Sequence, residues 1–205
     1  MNLDQIAGVA HQPGSAPSGA VVLTHGAGGS RESPLLMKIC DEWARRGWLA
    51  LRYNLPYRRR RPKGPPSGSA ASDQAGVVEA IALAHTLTDG PVIAGGHSYG
   101  GRMTSMVIAE NSAAVDVLTL FSYPLHPPGK PERARTDHLP RITVPTVFTH
   151  GTADPFGTIA ELRPAAALIA APTAIVEVTG ARHDLGSKTF NVPVLAVDAA
   201  LQFLP

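Results

Sequence analysis

The chain has 205 residues, of which 44% are hydrophobic and 17% charged, and a formal net charge of +2. This is long enough for one domain, 1–205, with a substantial core, and too apolar and too weakly charged for a disordered chain. A nucleic-acid partner is not expected, because positive charge is concentrated only at Arg58 to Arg61, without interleaved aromatics or a recognition motif.

From the N-terminus, residues 1–10 lack a basic cluster followed by an apolar run. No stretch approaches the roughly 20 apolar residues of a membrane span, so a cytoplasmic chain without membrane contact is expected. A β-branched run at 20–24 reads as a strand and leads into Thr24-His25-Gly26-Ala27-Gly28-Gly29-Ser30. That loop lacks the Lys-Ser/Thr ending of a phosphate loop and the Gly-x-Gly-x-x-Gly spacing. Helical spacing follows at 34–46, where Cys40 reads as a small buried hydrophobe. As the only cysteine it allows no intramolecular disulfide.

A strand is expected at 48–52. Residues 56–71, rich in Arg, Pro, Gly and Ser, read as an irregular, mobile loop with solvated arginines. A helix is expected at 72–87, with Val77, Val78, Ile81, Leu83, Ala84 and Leu87 mainly on one face. The strand 92–94 enters Gly96-His97-Ser98-Tyr99-Gly100, followed by a helix at 102–110. Then come a strand at 115–121, a proline-rich loop at 122–140, and a strand at 146–150 ending in Gly151-Thr152-Ala153-Asp154-Pro155. A helix at 159–170, a strand at 174–178, the loop Gly180-Ala181-Arg182-His183-Asp184 and a helix at 192–204 complete the series. Such alternation predicts an α/β fold, a mostly parallel sheet of about six to seven strands with helices on both faces. No insertion is large enough for a cap domain, so an open site is expected.

Gly-x-Ser-x-Gly between a strand and a helix is the pattern of a nucleophile elbow, which lifts a serine hydroxyl clear of the sheet. An unassisted hydroxyl is a poor nucleophile, so Ser98 needs a base and an acid that orients the base. In this fold their order along the chain is Ser, acid, His. Asp116 lies within a strand pattern and Asp137 in a proline-flanked loop near Arg135, whereas Asp154 emerges at the sheet's C-terminal edge. His183 follows Asp154 by one helix and one strand. His25 and His97 flank glycine turns, where ring hydrogen bonds to backbone are common, and His150 ends a strand. His126 and His138 are in loops, His85 is on a helix and His11 lies near the terminus. For the oxyanion, the N–H groups of Tyr99 and Ala27 are expected, with Gly28 as alternate for the second. Histidines without a His-x-x-x-His pair or a cysteine cluster indicate no metal, and the chemistry needs no cofactor.

These residues resemble the α/β-hydrolase superfamily, and within it the small, dienelactone-hydrolase-like branch. The sequence is most similar to the predicted-hydrolase family with testis-expressed and chromatin-complex-subunit relatives. The resemblance covers 21–188 and rests on the glycine loop, the elbow through Arg102, the acid turn through Gly157, Leu55-Pro56-Tyr57, and Tyr123-Pro124-Leu125-His126-Pro127-Pro128-Gly129-Lys130-Pro131. Dienelactone hydrolases use a cysteine where this chain has Ser98, so their lactone substrate is not implied. The resemblance implies hydrolase machinery and not a substrate; a small-molecule acyl substrate is expected from the open site. The expectation is cleavage of carboxylic esters or thioesters with Ser98 as nucleophile, His183 as base and Asp154 as orienting acid. The alternatives are a non-catalytic interaction module and another acyl chemistry, such as peptidase, acyltransferase or perhydrolase. Arg58 to Arg61 could draw in an anionic substrate, and Arg102 or Arg182 could pair with a carboxylate.

Overall fold

The computed structural model describes residues 3–66, 69–186 and 188–204. Its strands are β1 (Gly8–His11), β2 (Ala20–Thr24), β3 (Leu49–Tyr53), β4 (Val92–His97), β5 (Val117–Phe121), β6 (Thr146–Gly151) and β7 (Thr173–Val178). They form one sheet in the order β1-β3-β2-β4-β5-β6-β7, parallel except where β1 pairs antiparallel with β3. The helices are α1 (Pro34–Arg45), α2 (Pro56–Arg60), α3 (Ala70–His85), α4 (Tyr99–Glu110), α5 (Ile159–Ala166) and α6 (Val192–Leu201).

Side chains alternate across each strand, so the sheet has two cores. Val22, Leu51, Tyr53, Ala94, Leu118 and Phe148 pack with α3, α4 and α5 on one face. Val21, Leu23, Ala50, Ile93, Val117 and Val147 pack with α1 and α6 on the other. Trp43 of α1 meets Trp48 edge-on, with ring centroids 5.1 Å apart, which fixes the turn into β3. Cys40 is wholly buried in this second core, and burial pushes its thiol pKa up.

Four expectations change. β1 is a strand that the sequence does not announce, because four half-buried residues on an antiparallel edge form no apolar run. Val78 is 54% exposed; the packed face of α3 is Asp73, Gly76, Val77, Ala80, Ile81 and Ala84, at helical spacing. The helix after the elbow begins at Tyr99, three residues before the expected Arg102. The segment after β3 opens with α2 rather than an irregular loop, and Arg58 is buried, not solvated. Ser67 and Gly68 of that segment lie outside the described residues.

Candidate active site

All six parallel strands deliver their C-terminal ends to one edge of the sheet, as parallel α/β folds do at their sites. β4 ends at His97 and the chain turns directly into α4 through Ser98, whose φ of 50° and ψ of −117° are rare for a residue with a side chain. Two glycines permit the turn: a Cβ on Gly96 would lie 2.7 Å from the Thr24 carbonyl oxygen, and one on Gly100 2.5 Å from that of His25. The Ser98 amide donates to the Phe121 carbonyl at 2.8 Å, and its own carbonyl accepts the Arg102 amide at 2.9 Å. The elbow is thereby tied to both β5 and α4.

Ser98, His183 and Asp154 come together. His183 Nε2 is 2.7 Å from Ser98 Oγ, and His183 Nδ1 lies 2.8 and 3.0 Å from the two Asp154 carboxylate oxygens. A carboxylate only accepts, so the ring proton sits on Nδ1 and the Nε2 lone pair faces the serine hydroxyl. Asp154 is buried; burial pushes its carboxyl up, but the hydrogen bonds from His183 and the Phe156 amide outweigh this and hold it below the usual carboxylate value. The Phe156 ring lies against the imidazole, with centroids 4.2 Å apart and planes 31° from parallel. His97 Nε2–H donates to the His183 carbonyl at 2.7 Å and so holds the loop that presents the base position.

The other weighed residues stand apart from this relay. Asp116 accepts the Val92 amide at 2.8 Å, and Asp137 is exposed. His150 donates from Nε2 to the Gly157 carbonyl at 2.8 Å, beside Asp154 but not on Ser98. His126 reaches Glu161 at 3.4 Å, His138 bonds Ser105 at 2.8 Å, His85 reaches the Ala114 carbonyl at 2.9 Å and His11 pairs with Asp41 at 2.7 Å. Arg182 is exposed and does not line the cleft.

The glycine loop after β2 is oriented by residues that sequence reasoning missed. Ala27 C=O accepts from Tyr57 Oη at 2.8 Å and Arg58 Nη2 at 3.1 Å. Gly26 C=O accepts from His25 Nδ1 at 2.9 Å and Tyr57 Oη at 3.3 Å. Every described peptide is trans, so the following N–H groups, of Gly28 and Ala27, point away from Tyr57 and Arg58. Ala27 and Gly28 line the cleft with Ser98. Tyr99 N–H lies in the first turn of α4, where the helix leaves amides without an internal acceptor. Buried Asp73 joins the two sides: it accepts the Tyr57 amide at 3.0 Å and the Tyr99 hydroxyl at 2.8 Å. The one legible signal was a carboxylate in register with the apolar face of α3.

The cleft has a volume of about 720 Å³ and is lined by the glycine loop, Ser98, Tyr99, Arg102, Arg135, Phe156 and His183 among others. A larger depression, about 810 Å³, lies between α1 and residues 184–186 and 190–193 and contains neither Ser98 nor His183.

Several solved structures share this architecture. An alpha-beta serine hydrolase homologue from Coxiella burnetii superposes with a TM-score of 0.76 at 14% identity, over 94% of this chain and 91% of that one. Dienelactone hydrolase from Anabaena variabilis gives 0.72 at 22% identity, over 96% and 90%. A serine hydrolase without lid from Xanthomonas campestris gives 0.71 at 16% identity, over 97% and 89%. At these identities the likeness concerns the fold. The family model described as an alpha/beta hydrolase domain matches residues 17–191, and the chain belongs to that family.

Proposed function

We propose that this protein is a serine hydrolase that cleaves carboxylic ester or thioester bonds of a small-molecule acyl substrate. The observation that carries the reading is the hydrogen-bonded relay from Ser98 Oγ through His183 to Asp154. As Oγ attacks the carbonyl carbon, His183 Nε2 takes its proton, and Asp154 stabilises the resulting imidazolium through Nδ1–H. The tetrahedral oxyanion is received by the N–H of Tyr99 and by that of Ala27 or Gly28. His183 then protonates the leaving alkoxide or thiolate, which departs as the C–O or C–S bond breaks. Water attacks the acyl-enzyme, giving its proton to His183, and the carboxylic acid leaves as the proton returns to Ser98. The open cleft supports compact or loosely held substrates.

The test is intact mass and peptide mapping after treatment with a fluorophosphonate probe. A single adduct on Ser98, absent in Ser98→Ala and strongly slowed in His183→Ala, is the expected result. A folded native protein that takes up no probe would turn the reading to a non-catalytic interaction module.

A further inference from the structure

The cleft beside Ser98 holds positive charge that the mechanism above does not use. Its described lining includes Arg102 and Arg135 and no aspartate or glutamate. Arg102 is in the first turn of α4, its amide bonded to the Ser98 carbonyl at 2.9 Å, and both residues line the cleft. Both arginines are half-buried. Arg102 Nε is shielded from water and has no hydrogen-bond partner among the described residues, nor does the guanidinium form an ion pair there. Arg135 reaches the Pro124 carbonyl through Nη1 at 3.1 Å, and its main chain is pinned by the Tyr123 hydroxyl at 2.7 Å and by the Leu125 carbonyl at 2.8 Å. Burial and the positive charge of Arg102 hold the Arg135 pKa below its ordinary value.

Other buried and half-buried arginines of this chain are satisfied. Arg52 bonds Glu32 and the Arg31 carbonyl, Arg46 bonds Glu42 and Asp198, Arg58 binds the carbonyls of Ala27, Gly29, Arg61 and Gly64, and Arg59 reaches Glu79 and the Asn54 carbonyl. Two guanidiniums lining one cleft without an acidic residue beside them, one with a dry unpaired N–H, call for an oxyanion that accepts from both. We infer that Arg102 and Arg135 form an anion subsite, and that the substrate is an ester or thioester carrying a carboxylate or phosphate a few bonds from the scissile carbonyl. This rests on the serine hydrolase reading. A neutral ester of the same length would enter the cleft but leave the Arg102 donors unmatched.

The test separates the two. On Ser98→Ala protein, monomethyl glutarate and its neutral counterpart dimethyl glutarate are titrated while arginine Nε–H signals are followed by nitrogen-correlated NMR. Saturable shifts of Arg102 and Arg135, at least tenfold tighter for the monoester and lost in Arg102→Gln or Arg135→Gln but kept in Arg133→Gln, are expected. Equal response to the two esters, or none, overturns the subsite. Inorganic phosphate run alongside distinguishes the anion: tighter saturation than the monoester marks a phosphorylated substrate, weaker saturation a carboxylated one. Fluorophosphonate labelling of Ser98 in the native chain is scored independently. Labelling without anion preference removes the subsite and leaves the hydrolase, whereas anion preference without labelling does the reverse.

Discussion

His183 makes two hydrogen bonds of opposite sense, donating from Nδ1 to Asp154 and accepting at Nε2 from Ser98, and the first dictates the second. Replacing Asp154 by Asn puts an amide where only an acceptor fits, so the ring proton is driven to Nε2 and the base of the proposed mechanism would be disabled. In Asp154→Asn we expect kcat on a short 4-nitrophenyl ester to fall by roughly 10³–10⁴-fold, with near-UV circular dichroism unchanged. Arg58 acts one step further out, because its planar fork holds the carbonyls of Ala27 and Gly29 and so aims the Gly28 amide between them. Arg58→Lys keeps the charge and loses the fork. On the proposed mechanism its kcat should drop by about 10–100-fold with KM within a few-fold, since a loosened Gly28 donor would serve the transition state more than the bound ester. A change confined to KM would contradict a positioning role.

At the scale of elements, α3 shows how a helix is read against a sheet. Val77 and Ile81 are buried in the core with Ala80 and Ala84, while Val78 turns outward by the 100° between successive helical residues. Ile81→Ala should therefore cost about 2–5 kcal/mol in urea unfolding, and Val78→Ala should stay within about 0.5 kcal/mol. Equal losses would mean that the face is misassigned. The same helix carries Asp73 into contact with Tyr57 and Tyr99, so its packing also sets the ground on which the glycine loop and the elbow meet.

For the whole molecule, buried histidines set the response to acid. His25 donates from Nδ1 to the Gly26 carbonyl and accepts the Leu55 amide at Nε2, so a second ring proton would face an N–H. Burial lowers its pKa from 6.5 to about 4, and burial together with Arg102 and Arg141 lowers that of His138 from 6.5 to about 4. Between those values the unfolded chain binds protons that the folded chain refuses, so stability is full above pH 6.5 and declines as pH falls toward 4. His25 alone should remove on the order of 2–3 kcal/mol by the lower limit. Asp154, with its pKa lowered, stays ionised through this window and loses its stabilisation only below the usual carboxylate range. Urea midpoints at pH 7, 5.5 and 4.5 should fall steadily, and a flat profile would refute the assignment.

The sequence by itself determined the parallel strands and the chain order of Ser98, Asp154 and His183, because these depend on local signals: apolar runs, glycine turns and residue types at strand ends. It did not show β1, whose existence depends on the unpaired edge of β3 rather than on its own four residues. Nor did it show Tyr57, Arg58 and Asp73 behind the glycine loop, since a buried arginine in an arginine run looks like a solvated one until distant carbonyls gather around it. Arg102 and Arg135 are 33 positions apart, and only the closing of the sheet edge sets them in one cleft without a counter-charge. Local patterns fix which groups the chain offers; the partners that satisfy those groups, or leave them unpaired, come from residues remote in sequence and are decided by packing.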